Sequence, residues 1–325
     1  MKAIVITEFG NPEVMKYVDT DIPRIKPTQV LIEVEKTSVN YADVKARYGK
    51  KGSWKSPFIP GLDAAGVIVE TGSEVQNLRV GQRVITFPSK GSYSEYVVSE
   101  EILTYKIPDN IDFDTAAACP IVSFLSYKML QDIAKIEQGE TVLIHSAAGG
   151  VGTTAIQMAK LLGASKVIGT VGDEKKASVA IKAGADHVIS YDKENFADRV
   201  NEITDGQGVN IVLDSVAGVV TEKSLLCLAP YGRLVQFGNS SGTAGIFNTS
   251  DLHASCRSVL GFSLGTTRRL RPESLQHTAK QVLQYISEGK LKFEISHRFP
   301  LDQAVQAHKL IESRQSTGKI LLDVK

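Results

Sequence analysis

Cysteine is scarce in this chain of 325 residues, with three in all, Cys119, Cys227 and Cys256. They are far apart, form no C-x-x-C pair and are odd in number, so no disulfide framework is expected. They read as buried reduced thiols of a cytoplasmic protein. A long hydrophobic run is also missing: nothing approaches the roughly 18 apolar residues of a membrane span. The apolar part of Met1–Glu8 is too short for a signal peptide and reads as a strand. Excess charge of either sign is absent. Lys and Arg total 37 and Asp and Glu 36, a net charge of +1, which leaves no electrostatic footprint for nucleic acid. The basic runs Lys50-Lys51 and Arg268-Arg269-Leu270-Arg271 are short and read as solvated loops. No internal repeat or low-complexity segment occurs. What remains is an ordinary globular balance, 42% hydrophobic and 22% charged, at a length that suits two domains.

The most informative stretch is Thr141-Val-Leu-Ile-His-Ser-Ala-Ala-Gly-Gly-Val-Gly-Thr-Thr-Ala-Ile-Gln-Met-Ala-Lys160. A β-branched run, Thr141–Ile144, enters a Gly-rich turn, and a helix with apolar spacing leaves it. In that context glycines hold a dinucleotide pyrophosphate on a helix N-terminus. Gly149 lets the backbone approach phosphates and Gly152 lets the helix pack close to the strand. Ala148, Gly150 and Val151 complete the turn, and Ala147 replaces the first glycine of G-x-G-x-x-G.

The pattern then repeats. Lys166–Val171, His187–Ser190, Val209–Asp214, Gly232–Phe237 and Arg257–Phe262 read as strands. Helices are expected at Glu174–Ala183, Asn195–Thr204 and Val219–Leu228. Such alternation predicts a parallel sheet covered on both faces, with ligand at the strands' carboxyl ends. Before it, Val30–Glu35 alternates as a half-buried strand does. Gly66–Glu70, Arg83–Thr86 and Tyr93–Val98 are further short strands, punctuated by Gly72, Gly81, Pro88 and Gly91. This part reads as an antiparallel, barrel-like domain. After the parallel region, Glu273–Glu288 and Asp302–Ser313 read as amphipathic helices and Gly318–Asp323 as a closing strand. The expected organisation inserts a nucleotide domain, 121–265, between two parts of a catalytic domain, 1–120 and 266–325. A ligand cleft is expected between them.

On Ser38-Val-Asn-Tyr-Ala-Asp43, Gly61-Leu-Asp-Ala-Ala-Gly66, Ala147–Gly152, Leu213-Asp-Ser-Val216, Phe237-Gly-Asn-Ser-Ser-Gly242 and Glu312-Ser-Arg314, the whole chain resembles the zinc-free quinone oxidoreductases. These belong to the medium-chain dehydrogenase/reductase superfamily and include zeta-crystallin. The resemblance implies an α/β protein, with a GroES-like β-barrel catalytic domain and a Rossmann doubly wound parallel six-stranded sheet. It implies hydride transfer from NADPH to a quinone. Reduction of activated alkenes (enones, alkenals) is the enzymatic alternative, and an NADPH-binding structural protein the non-enzymatic one. Zinc relatives carry Gly-His-Glu where this chain has Gly61-Leu62-Asp63, and no cysteine precedes Cys119, so no functional metal is expected. A quinone already accepts hydride well, which makes a metal Lewis acid dispensable.

The resemblance further places Asn40 and Asp43 near the nicotinamide and substrate, as the catalytic residues; Asn40 would donate to the nicotinamide ribose or a substrate carbonyl. From the residues alone, Asn40 could instead cap the following helix. Lys45 and Tyr48 are expected substrate contacts. Phe237, Gly238 and Asn239, with Phe262 and Leu264, are expected around the nicotinamide half. Leu125 departs from the threonine of many relatives. An NAD enzyme usually carries an acid at the end of the second strand. Here that position is Val171, Gly172 already turns the chain, and Asp173 reads as a helix N-terminal acid. NADPH is therefore preferred over NADH, and Lys176, Tyr191 and Arg314 match the family residues that hold the 2′-phosphate. Ser258–Leu264 would be an apolar edge strand, and with the resemblance it predicts a homodimer.

Overall fold

The computed structural model describes residues 1–50 and 55–325; Lys51 of the first basic run lies outside them. The chain forms two units, Met1–Ile121 with Thr267–Lys325, and Val122–Thr266.

The N-terminal stretch supplies β1 (Lys2–Ile6), β2 (Met15–Asp19), β3 (Gln29–Val39), α1 (Tyr41–Arg47), β4 (Ala64–Thr71), β5 (Arg83–Thr86), β6 (Tyr96–Glu100), β7 (Thr104–Lys106) and α2 (Phe113–Ala118). Next comes α3 (Pro120–Tyr127), which runs into a π-helical turn at Lys128–Ile133. The second unit continues with β8 (Thr141–Ile144), α4 (Gly150–Leu161), β9 (Lys166–Val171), α5 (Ala177–Lys182), β10 (His187–Ser190), α6 (Phe196–Ile203), β11 (Val209–Asp214), α7 (Val219–Leu226), β12 (Leu228–Gln236), α8 (Thr249–His253) and β13 (Ser258–Gly261). The chain then returns through α9 (Leu264–Leu270), α10 (Leu275–Ser287), β14 (Ile295–Pro300), α11 (Ala304–Glu312) and β15 (Lys319–Asp323).

In the second unit six parallel strands lie in the order β10-β9-β8-β11-β12-β13. The order reverses direction between β8 and β11, which is where doubly wound sheets bind ligands. Leu143, Ile168, Val212 and Leu234 from four of these strands are fully buried and pack with Phe196, Val200 and Leu225 from the covering helices. Trimming one such leucine to alanine costs about 2–5 kcal/mol. The strand expected from Gly232 begins earlier, at Leu228. A register shift opposite β11 and a positive φ of 61° at Tyr231 let the extra residues in. The edge strand expected at 258–264 ends at Gly261, and Leu264 opens α9 instead. Cys119 and Cys227 are buried, but Cys256 is exposed, contrary to the expectation of three buried thiols.

The first unit carries a seven-stranded sheet, β14-β15-β3-β4-β5-β7, with β6 also on β3. β3 makes it possible. Its Gln29–Glu33 segment pairs with β6 and its Lys36–Val39 segment with β15, while β4 takes the other edge. All these pairs are antiparallel except β14 with β15. A buried cluster of Ile4, Ile6, Val39, Phe58, Tyr93, Leu301, Ala307 and Leu322 packs at one side of this sheet.

Candidate active site and coenzyme site

The carboxyl ends of the parallel strands collect most of the residues expected to meet a coenzyme. β8 is followed by His145 and Ser146, the latter at φ 56°, and Gly149 is the N-cap of α4. A Cβ on Gly152 would lie 2.3 Å from the Ser146 carbonyl oxygen, so any side chain there would push the helix off the strand. Gly149 is different: its Cβ would come no closer than 3.4 Å to its neighbour, and one on Gly172 would meet nothing within 4 Å. Internal packing demands glycine at 152 but not at 149 or 172. The latter two leave room on the outside, where a ligand backbone can approach. Ala147 is accommodated by a reciprocal exchange. A Cβ on Gly169 of β9 would stand 2.7 Å from the Ala147 methyl, so the strand carries the glycine that the turn gave up. Ala148, Gly150 and Val151 follow in the same turn and first helical residues.

Beside the turn, Val171 closes β9 and is buried, while Asp173 caps the short helical turn Glu174–Lys176, its Oδ1 accepting the Lys175 amide at 2.9 Å. Lys176 opens α5, and burial lowers its ammonium pKa against the raising effect of Asp173. Asp214 ends β11 with both oxygens engaged: Oδ1 accepts the Val216 and Ala217 amides at 2.7 and 3.0 Å, and Oδ2 accepts the Thr221 hydroxyl. Phe237–Asn239 lie against this turn. Phe237 donates its amide to the Asp214 carbonyl at 3.0 Å, and a Cβ on Gly238 would come within 2.7 Å of the Ser215 carbonyl. The Phe262 amide reaches the Gln236 carbonyl at 3.1 Å, and Leu264 is buried.

Two further residues of the expected set are Tyr191 and Arg314. The Tyr191 hydroxyl points into the unit, 2.6 Å from His145 Nδ1 and 2.7 Å from Thr170 Oγ1. Arg314 belongs to the other unit, where it follows α11 at φ 57°, exposed.

In the first unit the segment Asn40–Tyr48 forms α1 and its flanks. Asn40 is the N-cap, and Asp43 Oδ2 accepts the Asn40 amide at 2.8 Å, the returning half of a capping box. The Asn40 side chain is held from three sides. Its Nδ2 donates to Asp63 Oδ1 at 3.1 Å and to Ser38 Oγ at 3.3 Å, and its Oδ1 accepts from Lys319 Nζ at 2.8 Å. The Ser38 carbonyl lies 3.4 Å from the same Nδ2. Asp63 also accepts the Ser38 hydroxyl at 2.7 Å and the Ile121 amide at 3.1 Å. Asp43 and Asp63 are buried, as is Lys319, whose pKa burial lowers while the two carboxylates push it back up.

At the end of α1, Arg47 is fully buried, meets Glu312 at 2.7 Å, and stacks 4.5 Å from the Tyr48 ring centroid. The Tyr48 hydroxyl donates to Asn11 Oδ1 at 3.2 Å, and its pKa is raised by hydrogen bonding to Glu312. The Lys45 ammonium stands 5.7 Å from the Tyr41 ring and its pKa is lowered by partial burial. The Tyr93 hydroxyl lies between Asp43 Oδ2, at 3.4 Å, and His308 Nε2, at 3.2 Å. Burial, aided by the Arg47 charge, holds His308 neutral with a pKa of about 3.

Sequence reasoning missed three of these groups. Lys319 reads as the polar start of a strand, and only the register Ile320↔Val39 reveals that it reaches Asn40. Asp63 reads in the sequence only as the replacement for a metal ligand. Arg268 is no solvated-loop residue: it lies in α9, donates to the Leu62 carbonyl at 2.9 Å and covers the Phe87 ring at 4.9 Å. Its alternation with Arg269 and Arg271 hid the one arginine that turns inward. Among the described residues, no group of three or more His, Cys, Asp or Glu side chains is placed to hold a metal ion.

With this geometry established, comparison with known proteins gives a consistent picture. Residues 26–109 match the model of the alcohol dehydrogenase GroES-like domain, and residues 150–287 that of the zinc-binding dehydrogenases. A quinone oxidoreductase of Pseudomonas aeruginosa is 38% identical, covering 99% of both chains. The quinone oxidoreductase of Homo sapiens is 34% identical, covering 99% of this chain and 97% of its own. The solved structure of the Escherichia coli quinone oxidoreductase complexed with NADPH superposes with a TM-score of 0.93 at 34% identity, covering 99% and 100% of the two chains.

Proposed function

Because the chain belongs to the quinone oxidoreductases of the medium-chain dehydrogenase/reductase superfamily, we infer that it is an NADPH-dependent reductase of quinones. The observation that carries this reading is the pair of glycines that packing does not require, Gly149 and Gly172, at the switch point of the parallel sheet. NADPH, when bound, supplies a hydride from C4 of its nicotinamide. The chain's own part is to bind and orient. The amides at the start of α4 meet the pyrophosphate, and Lys176 offers a cation beside Gly172, where an NAD enzyme would present an acid. Phe237, Gly238, Asn239, Phe262 and Leu264 are proposed to frame the nicotinamide half.

In the other unit, Asn40 and Asp43 are proposed to act at the reacting centre through the turn they fix between β3 and α1. Lys45 and Tyr48 are the proposed acceptor contacts, and Arg314 is proposed to add charge at the 2′-phosphate. No resident metal is proposed: the zinc-ligand positions hold Leu62 and Asp63, and Asp63 accepts from Ser38, Asn40 and Ile121. A homodimer is proposed through β13, whose only strand partner among the described residues is β12. Two buried thiols suit the reducing cytoplasm.

The test is a panel of quinones and enones assayed with NADPH, reporting kcat/KM for each, beside Asn40→Ala and Asp43→Ala. Higher kcat/KM for enones throughout would replace the proposed acceptor. Wild-type kcat and KM in both variants would remove them from the site. Stoichiometric zinc, with activity lost on chelation, would overturn the metal-free reading.

A further inference from the structure

Asp43 Oδ2, the oxygen that accepts the Asn40 amide at 2.8 Å, also faces the Tyr93 hydroxyl at 3.4 Å. Behind that hydroxyl stands His308 Nε2, at 3.2 Å. The three side chains come from α1, from the turn before β6 and from α11, and all are buried. The Tyr93 ring is held in place. It belongs to the buried cluster with Ile4, Leu301 and Ala307 and meets the His308 ring edge-on at 5.8 Å. Gly61, at φ 102°, clears the ring: a Cβ there would lie 2.6 Å from Tyr93 Cδ1.

The protons along this chain of contacts can be placed. A carboxylate offers acceptors only, and the Tyr93 hydroxyl carries one proton. Burial, with the Asp43 and Asp63 carboxylates, raises the phenol well above its ordinary pKa, so the proton stays on Tyr93. A hydrogen bond to a carboxylate is about twice as strong as one between neutral groups, so that proton points at Asp43. The Tyr93 oxygen is then left to accept, and His308 Nε2 stands where a donor is needed. The imidazole is neutral, with a pKa of about 3, and has a single N–H. On Nδ1 that N–H would be buried with no hydrogen-bond partner among the described residues, under the positive field of Arg47. On Nε2 it meets Tyr93. The reverse order, with Tyr93 donating to Nε2, would strand the Nδ1 proton and take the hydroxyl proton from Asp43.

We propose that Tyr93 and His308 are positioning residues for the reacting centre: His308 Nε2–H holds the Tyr93 oxygen, and Tyr93 turns its proton onto the Asp43 oxygen that fixes the Asn40 turn. Both act through Asp43, whose carboxylate is thereby kept on the Asn40 amide. The proposal rests on the placing of Asn40 and Asp43 at the reacting centre above.

Steady-state assay of the intact protein with NADPH and a benzoquinone, beside calorimetric Kd values for NADPH, tests it. Tyr93→Phe keeps the ring and removes only the hydroxyl. It lowers kcat by about fivefold to tenfold, the low end for a contact as long as 3.4 Å, and leaves the Kd within about twofold. In an Asp43→Ala background the same change alters kcat by less than about twofold. His308→Leu lowers kcat as Tyr93→Phe does, whereas His308→Gln, whose amide nitrogen can donate in place of Nε2–H, recovers most of the loss; a ring that only fills space would cost the same in both. Nitrogen NMR of the histidine-labelled intact protein, with His308 assigned by its shift in Tyr93→Phe, needs no His308 variant. A neutral Nε2–H ring supports the proposal. An Nδ1–H ring overturns it, as does wild-type kcat in Tyr93→Phe, an additive loss in the double variant, or equal losses in His308→Gln and His308→Leu. Wild-type kcat in Asp43→Ala overturns the site reading and the proposal together, whereas an impaired Asp43→Ala beside any of those four results overturns the proposal alone.

Discussion

In the unit of residues 122–266 the buried polar side chains around His145 are neutral, Thr170 from β9 with Thr221 and Ser224 from α7, and Asp214 is wrapped in amide and hydroxyl donors. In the other unit the ionisable side chains Arg47, Asp43, Asp63 and Lys319 are all buried. The difference matters because a neutral hydrogen-bond set can lose a member at the cost of about 1–3 kcal/mol per orphaned group. Removing one partner from a buried ion pair leaves a charge with nothing to answer it. The coenzyme-binding unit should therefore yield gradually to substitution, and the unit bearing Asn40 and Asp43 abruptly.

The largest effect expected from this contrast is at Arg47. Its guanidinium is fully buried and meets Glu312 at 2.7 Å. Glu312→Ala should cost about 3–5 kcal/mol of stability, because the buried cation loses its counter-charge. Arg47→Met, which removes the charge and keeps much of the volume, should be milder. Urea unfolding monitored by circular dichroism measures both. A loss below about 1 kcal/mol for Glu312→Ala would erase the distinction between the units.

The neutral unit offers its own strong test at an apolar contact. A methyl on Gly169 would stand 2.7 Å from the Ala147 methyl. Gly169→Ala should cost about 1–3 kcal/mol from overpacking. Adding Ala147→Gly should recover most of it, restoring the glycine to the turn and the methyl to the strand. A double variant no more stable than Gly169→Ala alone would show that the two positions are not coupled.

The same exchange shows what could be read from the chain alone. β8, β9, β10 and β11 are short, mostly apolar runs bounded by turn residues, so their limits follow from composition. Ala147 looked like a defect in the glycine pattern because its compensation, Gly169, lies on another strand. β14 escaped notice for a related reason: His297 and Arg298 interrupt an edge strand whose outer side faces solvent. The positions of Asn40, Asp43, Lys176 and Tyr191 were legible through motif and resemblance. Their hydrogen bonds were not, because Lys319 and Asp63 reach Asn40 across sheet pairings that join distant parts of the chain. Local patterning finds a residue's segment, whereas the direction of a proton depends on tertiary neighbours.

A smaller effect compares one histidine from each unit. Burial lowers His145 to about 4 and His308 to about 3, from an ordinary value of 6.5. The unfolded chain thus binds protons that the folded one refuses between those values. Stability is complete above about pH 6.5 and is lost as pH falls toward 4 and then 3, by up to about 1.4 kcal/mol per pH unit for each histidine. Urea midpoints between pH 4.5 and 7.5 should fall on acidification, and His145→Asn or His308→Gln should each flatten the slope by about half. A flat profile in the unmodified protein would mean that neither ring is held neutral.

The smallest effect falls on Asp173, and it separates two readings of the coenzyme-binding edge. As a ribose acid, Asp173 would bind the hydroxyls of NADH, and its loss would weaken NADH about tenfold or more. As placed, it accepts the Lys175 amide at 2.9 Å from the N-cap of an exposed helical turn, while buried Val171 occupies the end of β9. A cap of this kind is worth about 0.5–2 kcal/mol, and one on a short exposed turn belongs at the low end. Asp173→Ala should therefore lower stability by only about 0.5 kcal/mol and leave the Kd for NADH unchanged. Removing its negative charge from beside Lys176, whose pKa it raises, should weaken NADPH binding little if at all, because the 2′-phosphate and the carboxylate compete for the same cation. A tenfold loss of NADH affinity would make Asp173 the ribose acid after all and return the edge to the pattern of NAD enzymes.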